Sequence, residues 1–340
     1  MPRFPKDQPA GVIPAVLLPF HEDLSIDEAS FKAHLTDIAN VEGLSAITVN
    51  AHSTEVASCT ADEQRRVMEI ACHTVGDRLP IIHGVWADGS IEAAAIARRA
   101  TAGGASALLV FPPAPLALGQ SAEMVLVHFR RIAEATDLPL IAFQYPLATG
   151  LGYPLPTLLR LADEIPTLRA IKDWTPEVPR HEATIRALQG LSRPINVLST
   201  NSAWLLSSLV LGCSGLLSGS GSVVADLHAR LFRAVQANDL AEARRINDRI
   251  YPLARVFYAD PFVDMHNRMK EALVLLGKLP RAVVRPPLAR ISHAEINLIR
   301  KALIEAGMLP SVVDLTFDSV LPRLFKSNVK SKTTLESDIC

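Results

Sequence analysis

Cysteine is scarce in this sequence, and the few cysteines present form no recognisable pattern. The 340 residues contain only Cys59, Cys72, Cys213 and Cys340, and no two of them make a C-x-x-C pair. This scatter argues against a disulfide framework and against a zinc knuckle. We therefore expect reduced thiols, as in a cytoplasmic protein, and neither a metal nor a cofactor.

Net charge and long apolar runs are also lacking. The formal net charge is −1, so the chain has no electrostatic footprint for nucleic acid or for an anionic membrane. No uncharged apolar run reaches the roughly 18 residues that a membrane span requires. The first seven residues hold no apolar core of a signal peptide. We expect no nucleic-acid partner and no membrane partner.

What the sequence does contain is an alternation of short apolar runs with amphipathic segments. Ser25-x-x-Glu28 and Thr60-x-x-Glu63 predict capping boxes at helix starts, and Gly103-Gly104 predicts a helix end. The apolar runs are mostly uncharged, as strands buried on both faces should be. They lie near Gly11–Leu17, Ala46–Val49, Pro80–His83, Ala107–Val110, Pro139–Phe143, Leu168–Ile171, Ile195–Leu198 and Gly215–Leu217.

Eight such runs, spaced roughly 20–35 residues apart, predict an α/β protein of the (β/α)8 TIM barrel type. A doubly wound sheet is the rival, but the first run ends without the glycine-rich fingerprint typical of that fold. The predicted divisions are an N-terminal segment (1–10), the barrel (11–237), a helical C-terminal extension (238–310) and a tail (311–340) that we expect to be disordered at its end.

Lys172 is the most informative residue, because it ends the sixth apolar run. Burying an unpaired ammonium is costly, and a desolvated lysine has a lowered pKa that lets its neutral amine attack a ketone to form a Schiff base. The alternative is a lysine that points into solvent at the strand end. In a barrel, active-site residues lie at the carboxyl ends of the strands. That rule groups Lys172 with hydroxyls, histidines and a tyrosine, a set that suits imine chemistry on a 2-keto acid.

Ordered motifs across some 300 residues resemble the dihydrodipicolinate synthase / N-acetylneuraminate lyase family of Schiff-base aldolases and dehydratases. They are Gly11–Phe20, Ala51–Glu55, Phe111–Pro113, Ile171–Asp173 and Arg285–Leu288. The resemblance implies a lyase of the class I aldolase or dehydratase type, with Lys172 as the imine-forming residue. It also implies a homo-oligomer, either a dimer or a tetramer.

The same resemblance places the carboxylate-binding pair of the family at His52 and Ser53. Ser53 keeps a hydroxyl and a backbone N–H there. His52 is a departure, and it is either a filler at the pocket wall or an acid/base group. The residues that we expect to bind substrate are Ser53, Thr54, Phe143 and Ser218.

Three further departures concern proton transfer and the second substrate. Phe143 stands where the family has its relay tyrosine. Tyr145 could replace that tyrosine, because side chains two residues apart on a strand point the same way; otherwise it packs at the rim. Ala148 replaces an arginine that binds the second substrate in dihydrodipicolinate synthases, and Ala114-Pro115 replaces tyrosines that follow strand four. We therefore expect a reaction other than dihydrodipicolinate synthesis, with Lys172, Tyr145 and His52 as catalytic residues.

Several alternatives remain at the level of sequence. The glycine-rich stretch 212–221 is either a tight turn beside the pocket or a phosphate-binding loop. The chain could be an impaired family member that binds a keto acid as a sensor or scaffold. It could also be a metal-dependent barrel lyase that uses His52, Glu55 and His83 as ligands.

Overall fold

A computed structural model describes residues 3–4 and 8–310 of the chain. The tail predicted for 311–340, which includes Cys340, lies outside the described residues. Eight parallel strands carry the fold: β1 (Gly11–Pro14), β2 (Ile47–Val49), β3 (Ile81–Val85), β4 (Ala107–Val110), β5 (Leu140–Gln144), β6 (Leu168–Asp173), β7 (Asn196–Ser199) and β8 (Gly215–Ser218). Each strand falls on one of the apolar runs, because strands of a covered parallel sheet must be apolar on both faces.

Helices alternate with these strands and then continue beyond the last one. Those of the repeat are α1 (Glu28–Ala39), α2 (Ala61–Val75), α3 (Ser90–Ala102), α4 (Ala122–Ala133), α5 (Leu155–Glu164), α6 (Val178–Gln189), α7 (Leu205–Val210) and α8 (Gly221–Gln236). The three after the repeat are α9 (Leu240–Phe257), α10 (Met265–Leu275) and α11 (His293–Glu305). None of the described helices is both long and apolar enough to cross a bilayer.

The strands close into the predicted (β/α)8 barrel rather than the open doubly wound sheet. Their order is β1-β8-β7-β6-β5-β4-β3-β2. β1 and β2 then meet through bridges from Ala15 to Thr48 and from Val12 to Leu44. Alternate side chains of the strands fill the interior, where they form a cluster that includes Ile13, Ala15, Ile82, Leu109, Phe111, Ile141, Phe143, Tyr145, Ala170, Leu198 and Leu217.

One of the two predicted helix starts is correct and the other is wrong. Thr60 and Glu63 form the predicted capping box at α2. The predicted box at Ser25 does not form, because the Ser25 hydroxyl donates to Asp23 over 2.6 Å in the preceding turn. The N-cap of α1 is Asp27, whose carboxylate accepts from the Ser30 N–H at 3.0 Å. The helix end at Gly103 is confirmed.

Candidate active site

Lys172 lies inside the barrel mouth at the end of β6. The strand register sets it beside Phe143 of β5, and its Nζ lies 4.1 Å from the centroid of the Phe143 ring. Only 4% of the residue is exposed. Burial lowers the pKa of the amine from 10.5 to about 7, since desolvation disfavours the charged form. A large share of Lys172 is therefore a neutral amine near pH 7, and the side chain does not point into solvent.

A small cavity of about 40 Å³ lies next to the Lys172 amine. The barrel strands and their loops supply one part of its wall, and the C-terminal extension supplies the other. The residues that line it are His52, Ser53, Phe143, Lys172, Trp174, Thr200, Gly219, Tyr258, Phe262 and Met265. The wall therefore combines one amine, one imidazole, three hydroxyls and several apolar rings.

His52 and Tyr145 meet beside this cavity. The Tyr145 hydroxyl and His52 Nε2 share a hydrogen bond, and the Tyr145 ring packs 4.5 Å from that of Phe143. Tyr145 therefore points the same way as Phe143, as the alternation of side chains predicts. Burial raises the pKa of the Tyr145 hydroxyl. Burial, aided by Lys172, lowers the pKa of His52 well below 6.5. Both members of the pair are thus neutral at pH 7, and their shared hydrogen bond joins two groups able to transfer a proton.

The loop after β2 positions His52 and Ser53 through a tight 3-10 turn, His52–Thr54. Thr54 does not reach the cavity, because its hydroxyl accepts from the Ala51 N–H at 2.5 Å and donates to the Ala51 carbonyl at 2.9 Å. The geometry therefore does not support the predicted contact between Thr54 and substrate. It gives Thr54 a different task, which is to shape the loop that presents Ser53.

The glycine-rich stretch forms the turn from β8 to α8 beside Ser53. A Cβ atom on Gly219 would lie 2.7 Å from the Ser53 hydroxyl, a distance that requires a shift of either group. A Cβ on Gly221 would lie 3.1 Å from the Pro14 backbone. These close approaches fit the tight-turn interpretation, in which glycine lets the turn come up to the cavity.

Ser218 lies one step away from the cavity. Its hydroxyl lies 2.9 Å from that of Ser202 and 3.0 Å from that of Ser220. Ser202 in turn donates to the Tyr258 hydroxyl at 3.0 Å, and Tyr258 lines the cavity. Ser218 thus belongs to a hydroxyl network behind the wall, and the structure does not place it in direct reach of a substrate.

The three proposed metal ligands do not converge. His83 Nε2 lies 2.8 Å from the Asn50 side chain, and His83 lines a separate cavity that α2 and α3 border. Glu55 accepts from the buried Lys270 ammonium at 2.5 Å. Only His52 of the three lines the cavity at Lys172, and no metal-ligating cluster of three such side chains occurs within the part of the chain that the structure describes. The arrangement gives the metal-dependent alternative no support.

An aromatic stack at the cavity rim was not predicted. Trp174 follows β6, and its ring stacks on Phe262 with centroids 4.8 Å apart. Phe262 stacks in turn on Tyr258 at 5.5 Å. Phe262 and Tyr258 belong to the segment between α9 and α10, and the barrel rule says nothing about where that segment packs. The available signal was the clustering of aromatic residues in this short connection.

His266 on α10 was also missed. Its ring centroid lies 6.5 Å from that of His52, only 6% of the residue is exposed, and neither ring nitrogen has a hydrogen-bond partner. Burial, together with Lys270 and Lys172, lowers its pKa to about 3. His266 is therefore a neutral and unsatisfied imidazole directly behind the candidate site.

Comparison with known proteins identifies relatives over nearly the whole described chain. A family model for the dihydrodipicolinate synthetase family matches residues 8–306. A protein named 4-hydroxy-tetrahydrodipicolinate synthase from Gluconacetobacter diazotrophicus is 30% identical over 299 residues, which cover 88% of this chain and 97% of the relative. A protein of the same name from Sodalis glossinidius is 30% identical over 88% of this chain and 99% of its own length. These names do not support the expectation of a reaction other than theirs.

Solved structures agree with the sequence relatives. The pyruvate complex of a chloride-inhibited dihydrodipicolinate synthase from Acinetobacter baumannii is 27% identical, with a TM-score of 0.79 over 88% of this chain and 99% of that one. The dihydrodipicolinate synthase from Aquifex aeolicus is 25% identical, with a TM-score of 0.79 over 88% of this chain and 98% of that one. The likeness therefore covers the barrel and the C-terminal extension together.

Proposed function

The chain belongs to the dihydrodipicolinate synthetase family of Schiff-base, aldolase-type lyases, and on that premise we propose that Lys172 forms an imine with a 2-keto acid of the pyruvate class. The observation that carries this proposal is the burial of Lys172, which lowers the pKa of its amine to about 7. A neutral amine at the bottom of a cavity is the nucleophile that imine formation requires. The pyruvate bound to the Acinetobacter baumannii relative adds support.

The amine would attack the keto carbon and expel water, leaving a cationic imine that draws electrons from the adjacent C3. Loss of a proton from C3 then gives an enamine, and its attack on a carbonyl of a second reactant forms the new C–C bond. The His52–Tyr145 pair is our candidate for moving these protons, because His52 lines the cavity and shares its hydrogen bond with Tyr145. Ser53 is the candidate for binding the keto acid's carboxylate, since it faces the same cavity.

Reductive trapping tests the proposed imine. We expect borohydride with pyruvate to add one reduced pyruvyl group to the protein, and peptide mass spectrometry to locate it on Lys172. Lys172→Ala should remove the adduct. Lys32→Ala, which removes an exposed lysine on α1, should leave it unchanged. No adduct with any 2-keto acid, or an adduct that survives Lys172→Ala, would contradict the proposal.

The second reactant should be sought by assay. The synthesis of 4-hydroxy-tetrahydrodipicolinate is the first reaction to measure, because the relatives carry that name. A panel of other aldehydes with pyruvate should follow. Trapping on Lys172 without turnover of any of them would instead favour a protein that binds a keto acid as a sensor or scaffold.

We also propose that the protein is cytoplasmic and a homo-oligomer, either a dimer or a tetramer. A contact between copies that covers Leu118, which is 95% exposed, or Ile91, which is 81% exposed, would bury a large apolar side chain and so favour self-association. Sedimentation velocity over a range of concentrations should give a mass of two or four chains. A single species with the mass of one chain would contradict this.

A further inference from the structure

One wall of the cavity is aromatic and uncharged. Trp174, Tyr258, Phe262 and Met265 form this wall, and all four are partly exposed at the rim. Among the residues that line the cavity, Lys172 is the single cationic side chain, and none is acidic. A reactant that approaches the Lys172 imine therefore meets rings, a thioether and hydroxyls.

We propose that the protein accepts an uncharged aromatic aldehyde as a second reactant and condenses it with the keto acid held on Lys172. This inference rests on the proposed imine at Lys172. It adds an activity to that site, and it holds whether or not the protein also makes 4-hydroxy-tetrahydrodipicolinate.

Charge favours an uncharged reactant at this wall. A second carboxylate in the cavity would lose its hydration, and a buried carboxylate without a cationic partner is costly. In the enamine the Lys172 nitrogen carries no charge, and position 148, an exposed alanine, supplies none either. An aldehyde without an ionised group avoids this cost.

Ring geometry favours a flat aromatic group. The rings of Trp174 and Phe262 stack with an interplanar angle of 25°, and those of Phe262 and Tyr258 with one of 28°. In each pair the two ring planes are therefore nearly parallel, and all three rings line the cavity. A flat substrate ring at this wall can extend the stack and so gains ring contacts that a saturated ring does not make.

The condensation balances without an oxidant or a cofactor. The enamine C3 bonds to the aldehyde carbon, and the aldehyde oxygen takes a proton supplied by the His52–Tyr145 pair. Water then hydrolyses the imine, which frees the Lys172 amine and replaces the water that imine formation released. The products are a 4-aryl-4-hydroxy-2-oxo acid and unmodified enzyme, and the reverse reaction cleaves the same bond.

A pair of matched aldehydes tests this inference on the unmodified protein. With pyruvate, we expect kcat/KM for benzaldehyde to exceed that for cyclohexanecarbaldehyde, which has a saturated ring, by about fivefold, as stacking contributes about 1 kcal/mol beyond apolar burial. Product formation is measured by chromatography. Trp174→Leu and, separately, Phe262→Leu should reduce this preference to about twofold. Tyr251→Leu, at an exposed tyrosine of α9, should leave it unchanged.

The outcomes separate this inference from the proposed function. Pyruvate trapping on Lys172 is measured in every variant beforehand. If trapping succeeds but the two aldehydes react equally, or neither reacts, the aromatic inference is wrong and the proposed imine stands. If trapping fails in the unmodified protein, both fail. A preference that persists in both Trp174→Leu and Phe262→Leu would also overturn the role of this wall.

Discussion

The imine proposed at Lys172 requires a neutral amine, so the pH dependence of imine formation should reveal the environment of Lys172. With a pKa of about 7, the neutral fraction rises about tenfold between pH 6 and pH 8 and then levels off. Stopped-flow measurement of imine formation at low pyruvate should show this rise and plateau. A rate that keeps increasing to pH 10 would indicate an ordinary exposed lysine and would contradict the burial described above.

His266 offers a test of stability at a single residue. Its two ring nitrogens are buried without partners, and an unsatisfied buried polar group costs about 1–3 kcal/mol. We therefore expect His266→Leu to raise the free energy of unfolding by about 1 kcal/mol at pH 7, as measured by urea denaturation.

The matched control for His266 is His128 of α4, which is equally buried but has a partner. Its Nδ1 lies 3.0 Å from the Ser90 hydroxyl, so His128→Leu removes a hydrogen bond and should lower the free energy of unfolding by about 1 kcal/mol. If both variants lose stability alike, His266 has a partner that the structure does not reveal.

The sequence predicts some residues of the site and misses others for a physical reason. His52, Phe143 and Lys172 follow from the rule that barrel sites form at strand ends, and all three line the cavity. Phe262 and Met265 lie after the barrel, where no periodic pattern specifies how the chain folds back. Ser218 was assigned correctly to a strand end, but the contacts of its hydroxyl depend on Ser202 and Ser220, which only a three-dimensional arrangement brings together.

At the scale of elements, apolar patterning was sufficient to predict the strands, because their burial on both faces leaves a direct trace in the sequence. Local hydrogen bonds were less predictable. The Ser25 hydroxyl donates its hydrogen bond to Asp23 and does not cap α1. Asp27 caps the helix instead. Ser25 and Asp27 are both residue types that favour helix caps, and the geometry of the preceding turn leaves only Asp27 free to cap α1.

A buried ion pair joins the loop after β2 to the C-terminal extension. Glu55 accepts from Lys270 of α10 at 2.5 Å and from the Arg285 N–H at 3.0 Å, and none of the Lys270 surface is exposed. Glu55→Gln leaves the Lys270 ammonium without its counter-charge, so we expect the free energy of unfolding to fall by about 3 kcal/mol. Chemical denaturation followed by circular dichroism measures it.

An exposed pair provides the control for this prediction. Glu92 accepts from Arg99 on the surface of α3, and both side chains are about half exposed. Since exposed ion pairs contribute little, Glu92→Gln should change the free energy of unfolding by less than about 0.5 kcal/mol. Equal effects of the two substitutions would mean that Glu55 is not the anchor between loop and extension.

At the scale of the whole molecule, buried histidines should make stability depend on pH. Burial lowers the pKa from 6.5 to about 4 for each of four of them: His34, His83, His128 and His228. Between those two pH values the unfolded chain binds protons that the folded chain does not. The free energy of unfolding is therefore fully retained above pH 6.5 and falls as the pH drops toward 4, by about 1.4 kcal/mol per pH unit for each histidine.

Urea denaturation at pH 7.5 and pH 5 measures this loss of stability. His128→Asn should reduce the difference between the two values, whereas His73→Asn, at an exposed position of α2, should not. A protein that is equally stable at both values would show that these histidines are solvated in the folded state.

The aromatic wall at Trp174, Phe262 and Met265 has a consequence for how this enzyme could change. The amine proposed to form the imine lies within the barrel, whereas Tyr258, Phe262 and Met265 of the wall lie after it. Apart from Trp174, the residues proposed to select the second reactant therefore lie in a stretch of the chain separate from Lys172. Recombination that replaces this stretch would change the preference for the second reactant and leave the barrel with Lys172 unchanged.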